Sequence, residues 1–210
     1  MIRLIVNPSA PDPEQLERAA VLIRGGGVVA IPTDTIYGLA ADPFNDDAVR
    51  RVYGVKDRMA ERALPLIGAD FEQIVAELGI LPPTAQRLAE RFWPGPLTLV
   101  VTAPERLSTA VTGGTNRVGV RIPAHPVAQA LCRVSARLLT ATSANVSGQP
   151  PSADPDVVHA SLGHRDVDAL LDAGRTPGGE PSTVVDVSGA VPRLLRAGAV
   201  PWEDVRACVR

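Results

Sequence analysis

Apolar residues recur every three or four positions in some stretches of the chain and alternate or run together in others, which separates helices from strands. Arg3 to Val6 reads as a short strand. Asp12 can then cap a helix opened by Pro13, with Gln15 in its first turn and Leu16, Ala19, Ala20 and Ile23 on its apolar face. Gly25-Gly26-Gly27 ends that helix. Val28 to Ile31 is continuously apolar between glycine and proline, the pattern of a strand buried on both faces, and it exits into polar Thr33-Asp34-Thr35.

Asn45-Asp46-Asp47 starts a second helix with Val49, Val52 and Tyr53 inward, and Lys56-Asp57-Arg58 falls at or just past its end. Leu64–Ile67 predicts a strand, and Phe71–Leu78 and Pro83–Phe92 predict helices. Leu97–Val101 predicts another strand. Over Arg117–Ile122 the alternation places Arg117, Gly119 and Arg121 on one face and Val118, Val120 and Ile122 on the other. A helix follows His125-Pro126 to about Arg133, and the strand Leu138–Ala141 runs into Thr142-Ser143-Ala144-Asn145. Val146–Asp156 is a Ser-, Gly- and Pro-rich loop, and a short helix is expected over Pro155–Leu162. Leu170–Asp172, Thr183–Val187 and Arg193–Arg196 read as strands, and Trp202–Val209 as a closing helix. This mixture implies an α/β or α+β sheet flanked by helices, with parallel and antiparallel pairs.

Length and composition narrow the picture. At 210 residues the expectation is a single domain spanning 1–210. Only 3% of residues are aromatic, so Val, Leu, Ile and Ala must build the core. The formal net charge of −2 excludes bulk attraction to a polyanion, so any basic site must be local. Cys132 and Cys208 are far apart without metal-ligand spacing and read as buried thiols. No stretch is apolar enough for a membrane span, and the apolar start is too short for a signal peptide, so a cytoplasmic protein is expected.

Several predicted strand ends release into small, polar or basic residues: Thr33-Asp34-Thr35, Arg121, Thr142-Ser143-Ala144-Asn145, Ser182-Thr183 and Arg196. Ligands of α/β sheets bind at such ends. Hydroxyls, amides and guanidiniums without a histidine relay point to binding and orienting an anion rather than to nucleophilic catalysis. The chain has no G-x-x-x-x-G-K-[ST] loop, G-x-G-x-x-G turn, H-E-x-x-H or paired C-x-x-C. Taken singly, Lys56 and Arg58 equally suit a helix C-terminus, and Ser143 and Asn145 a turn. His125, His159 and His164 read as structural or solvated, and Trp93 and Trp202 as packing residues.

In order along the chain, the segments are more specific. Pro32-Thr33-Asp34-Thr35-Ile36-Tyr37-Gly38-Leu39, Lys56-x-Arg58, Phe92-Trp93-Pro94-Gly95-Pro96-Leu97-Thr98, Thr112-Gly113-Gly114, Val120-Arg121-Ile122-Pro123, Ser143-Ala144-Asn145-x-Ser147-Gly148, Ser182-Thr183-Val184-Val185-Asp186 and Leu195-Arg196 together resemble the YrdC/TsaC-type threonylcarbamoyl-AMP synthases over about residues 20–202. The resemblance is to the short form of that family. It implies a YrdC-like α/β fold, one open, twisted mixed sheet flanked by helices around a central cleft.

The implied reaction joins L-threonine, bicarbonate or CO2 and ATP into threonylcarbamoyl-AMP and pyrophosphate. A downstream tRNA threonylcarbamoyl transferase uses the product to make N6-threonylcarbamoyladenosine. The resemblance also leaves room for weak tRNA contact. By position, it implies that Lys56, Arg58, Ser143 and Asn145 form the catalytic group. Arg58, Arg62, Arg117, Ser143 and Arg196 would contact ATP, and Thr35, Arg121, Ala141 and Ser182 would hold threonine. Mg²⁺ is expected with the triphosphate, held mainly by phosphate oxygens and water rather than by a protein cage. Alanine at Lys56 or Arg58 is expected to stop turnover and leave the fold intact.

The chain departs from the common pattern at Met59, Ile67, Arg117, Thr142, Pro151 and Ala197. Two rivals fit the same fold: an RNA-binding module, disfavoured by the acidic balance and scarce aromatics, and a carbamoyl-transfer enzyme related to hydrogenase-maturation proteins.

Overall fold

Why the strands sort as they do is clearest at β2 (Val29–Ile31) in the computed structural model, which describes residues 1–57 and 63–209. Val29 and Ile31 join one apolar cluster, while Val28 and Ala30 join another on the opposite face. A strand covered on both sides has no polar alternation, which is the pattern of this run. Its neighbours are β9 (Ala169–Asp172), parallel, and β3 (Gly38–Ala40), antiparallel. β1 (Ile2–Ile5) adds parallel to β9, and β8 (Thr142–Ser143) adds antiparallel to β3. The first sheet thus runs β1-β9-β2-β3-β8.

The second sheet runs β11-β10-β5-β6-β4-β7, from Arg193–Arg196, Thr183–Asp186, Leu97–Thr102, Arg117–Arg121, Leu66–Ile67 and Leu139–Thr140 respectively. It too is mixed: β10 is parallel to β5, and β4 to β6, while the other pairs are antiparallel. The expected mixed α/β class is therefore observed, with the strands hydrogen-bonded as two sheets. Residues 139–143 join them: β7 pairs with β4 in one sheet and, across Ala141, β8 pairs with β3 in the other. Thr140 fastens the junction, since its Oγ1 donates to Leu39 O (3.0 Å) and accepts from Ala41 N (2.9 Å).

Helices cover both faces. α1 (Pro13–Arg24) starts at Asp12, whose carboxylate accepts from Glu14 N at 2.9 Å. It buries the four predicted residues Leu16, Ala19, Ala20 and Ile23 beside α6 (Pro126–Ser135). Burying a side chain such as Leu16 or Ile23 contributes about 1.5–3 kcal/mol. On the other face, α2 (Asp46–Val55), α3 (Phe71–Leu78), α4 (Pro83–Phe92) and α8 (Trp202–Cys208) contribute to the larger cluster with Leu97, Leu99, Val118, Val120 and Val185. Two short helices, α5 (Thr109–Thr112) and α7 (Pro155–Leu162), complete the set.

Trp93 and Trp202 pack against this core as expected, and Trp93 Nε1 donates to Leu97 O. Cys132 is buried, and burial raises its thiol pKa; Cys208 is only half-buried, which corrects the expectation of two buried thiols. No helix among the described residues is long and apolar enough to cross a membrane.

Candidate functional site

A cleft of about 420 Å³ opens between the two sheets. It gathers the β2–β3 turn, β4, the C-terminal end of β6, the junction 141–143, Ser182 and Arg196. Thr35, Arg121, Ala141, Ser143, Ser182 and Arg196, expected from sequence as site residues, all line it.

The turn that presents Thr35 is fixed by its neighbour. Thr33 Oγ1 donates to Ile36 O at 2.7 Å and accepts from Thr35 N at 3.2 Å. From behind, Thr176 Oγ1 and Gly178 N donate to Thr35 O, each at 2.8 Å. Ala141 enters through the junction and is held by its amide on Pro65 O at 2.8 Å.

Arg121 ends β6 and is 8% exposed. Its Nη1 donates to Asp34 Oδ1 at 2.6 Å and more distantly to Gly95 O at 3.4 Å. Nε and Nη2 carry no hydrogen bond among the described residues. Since Arg121 lines the cleft, these two N–H groups form the edge offered to a ligand. That edge is the bidentate fork that matches a carboxylate or phosphate.

Arg196 reaches in from the exposed edge strand β11. Its Nη2 donates to Ser182 O (2.7 Å) and Ser182 Oγ (3.0 Å), and no carboxylate among the described residues pairs with it. Partial burial, and then the charge of Arg121, lower its pKa below the usual guanidinium value. Two arginines within electrostatic reach, only one of them balanced by a carboxylate, leave the cleft with positive charge to offer an anion.

Lys56 and Asn145 lie outside the lining, behind Ser143. The buried Lys56 Nζ donates to Ser143 O (2.6 Å), Asn145 O (2.9 Å) and Asn145 Oδ1 (3.0 Å). Lys56 O in turn accepts from Ser147 N at 2.9 Å. Asn145 Nδ2 donates to Val146 O and Gln149 O. Lys56 therefore meets Ser143 and Asn145, tying the end of α2 to the turn that carries Ser143.

Arg117 sits at the opposite end of β6, ~13 Å from Arg121 by strand rise. It is outside the lining and donates to Asp186 Oδ2 at 2.9 Å. Arg58 and Arg62 fall outside the described residues.

Sequence reasoning passed over Thr98 and gave Asp34 no role. Thr98 is buried in the lining, and its hydroxyl shares a 2.8 Å hydrogen bond with that of Ser182. A signal existed: Leu97, Leu99 and Val101 alternate into the core, which turns Thr98 to the other face. Ile67 and Pro151, two departures from the common pattern, also line the cleft.

The fold and this cleft define an α/β protein with an arginine- and hydroxyl-lined cleft between two mixed sheets. The family model described as telomere recombination, and named for Sua5, YciO and YrdC, matches residues 21–198, and the chain belongs to that family. It is 41% identical over 192 residues to the threonylcarbamoyl-AMP synthase of Pyrococcus abyssi, covering 91% of this chain and 56% of that protein. With the threonylcarbamoyl-AMP synthase of Bacillus subtilis it shares 40% identity over 202 residues, covering 96% of this chain and 58% of that protein. The chain thus spans a little over half the length of these relatives. The crystal structure of P. abyssi Sua5 complexed with L-threonine superposes with a TM-score of 0.93 at 37% identity, over 100% of this chain and 61% of that one.

Proposed function

We propose that this chain forms threonylcarbamoyl-AMP and pyrophosphate from L-threonine, bicarbonate or CO2 and ATP. The observation that carries the reading is the convergence of Arg121 and Arg196 with the hydroxyls of Thr35, Ser143 and Ser182 in one cleft. The names of the two relatives and the threonine complex of P. abyssi Sua5 support the choice of ligands.

The chemistry suits such a site. The amine of threonine captures CO2 and loses a proton, giving a carbamate. A carbamate oxygen then attacks the α-phosphorus of ATP, and pyrophosphate leaves. Both partners are anions, so the protein's task is to align them and offset their repulsion. The Nε/Nη2 edge of Arg121 would take the amino-acid carboxylate, beside Thr35, Ala141 and Ser182. Arg196 and Ser143 would take phosphate oxygens, and Lys56 and Asn145 would hold Ser143 in place. Arg58, Arg62 and Arg117 remain assigned to ATP by family position alone.

Mg²⁺ is expected to enter with ATP and to be held mainly by phosphate oxygens and water. No group of three or more His, Cys, Asp or Glu among the described residues could hold a metal, whereas Ser143 and Ser182 offer neutral oxygens to a phosphate-borne cation. Mg²⁺ bound with ATP would neutralise charge on the leaving pyrophosphate. The product would pass to a tRNA threonylcarbamoyl transferase in the cytoplasm.

The test is mass spectrometry of the product together with pyrophosphate release. The expected result is threonylcarbamoyl-AMP that requires threonine, bicarbonate and ATP. Turnover with carbamoyl phosphate instead of threonine, or tight salt-sensitive tRNA binding without pyrophosphate release, overturns the reading.

A further inference from the structure

We propose that Asp34 is a positioning residue for the amino-acid end of the cleft, acting by pinning Arg121 Nη1 so that the Nε/Nη2 edge faces the ligand. The inference rests on the reading that Arg121 receives an amino-acid carboxylate. The Asp34 and Arg121 side chains are about nine-tenths buried and meet at 2.6 Å. A guanidinium has five donors in a rigid plane, so holding one terminal nitrogen fixes the direction of the opposite edge. Gly95 O, the other acceptor of Nη1, is at 3.4 Å and restrains it much less.

Folding gives little reason for this carboxylate. A buried ion pair often adds no net stability over apolar packing. Asp34 also leaves its second oxygen, Oδ2, buried without a hydrogen-bond partner among the described residues, an arrangement that costs stability. What the pair secures is an oriented fork in the unliganded protein, so binding need not spend free energy ordering the arginine. By charge alone Asp34 would oppose an incoming carboxylate. Positioning and electrostatics therefore predict opposite effects for its removal.

The experiment measures threonine KM, ATP KM and kcat for pyrophosphate release in the wild type and in Asp34→Ala, Asp34→Asn and Asp34→Glu. Positioning predicts that Asp34→Ala raises threonine KM about 10-fold or more, the equivalent of one charge-assisted hydrogen bond, with ATP KM within about 2-fold. Asp34→Asn keeps an acceptor oxygen and should stay within about 3-fold of wild type, because a neutral hydrogen bond retains roughly half the strength. Asp34→Glu keeps the charge but moves it by one methylene, so it should lose threonine affinity as Asp34→Ala does. In an Arg121→Ala background, Asp34→Ala should add no further loss.

A threonine KM that is unchanged or lowered in Asp34→Ala or Asp34→Glu overturns the proposal, as does an equal rise in both KM values. Should the alanine variant not fold, the Asn and Glu variants decide it alone. A wild-type chain that binds no amino acid overturns the functional reading as well, whereas an active wild type with indifferent variants overturns only the role of Asp34.

Discussion

At the scale of single residues, the cleft separates groups that face a ligand from groups that hold them. Lys56 belongs to the second kind. Its ammonium is surrounded by backbone and amide oxygens, but Ser143 O also accepts from Asn145 N and Asn145 Oδ1 from Ser143 Oγ, so Lys56→Ala leaves Asn145 O as the acceptor with no other donor among the described residues, at a cost of about 1–3 kcal/mol. Urea denaturation should show a loss of about 1–3 kcal/mol together with the loss of activity. The burial of the ammonium could not be read from a lysine beside Asp57.

His125 makes a second prediction at this scale. The imidazole is buried at the start of α6, its Nδ1 has no partner among the described residues, and burial lowers its pKa despite the nearby charge of Asp34. Below the ordinary value of 6.5 the unfolded chain takes up a proton that the native state resists, so this residue makes stability fall as pH drops through that region. His125→Gln should therefore lose less melting temperature than wild type between pH 7.5 and 5.5, as thermal unfolding at the two values will show.

At the scale of elements, helices were the most legible part because their ends carry their own chemistry. Asp12 and Asn45 cap α1 and α2 where the sequence places them, and Pro83 and Pro155 open α4 and α7. Strand β3 escaped notice because Gly38-Leu39-Ala40 is three residues long, wholly buried and without alternation. Helix α5 is a single turn, too short for periodicity to register.

Two glycines make opposite predictions. Gly54 is exposed in α2 with nothing among the described residues within 4 Å of a Cβ, so Gly54→Ala should stabilise by roughly 0.5–1 kcal/mol in a thermal melt. Gly198 follows β11, and a Cβ there would lie 2.2 Å from Pro181 O and 2.7 Å from the Ser182 carbonyl carbon. Gly198→Ala should destabilise by about 1–3 kcal/mol and, by displacing Ser182, weaken amino-acid binding, which calorimetric titration can measure.

At the scale of the whole molecule, the candidate site was legible as a set of residues but not as a place. Thr35, Arg121, Ser143, Ser182 and Arg196 come from separate loops and strand ends of two sheets. No local pattern says that these ends converge: their polar strand-end positions marked them as candidates, and the ordered resemblance assigned them to one site. Nor does sequence show that the two sheets meet in a five-residue span. Thr140→Val removes both hydrogen bonds of the Thr140 hydroxyl and should cost about 1–3 kcal/mol in chemical denaturation.

The order of the first sheet bears on how the chain is made. β9 lies between β1 and β2, so both wait for residues about 140 positions or more downstream before their ladders can close. During synthesis at ~5–20 residues per second, that leaves apolar strand edges uncovered for several seconds or longer. Nascent chains halted before Ala169 should therefore be bound by chaperones and cut readily by protease, whereas chains that include Asp172 can bury the strand.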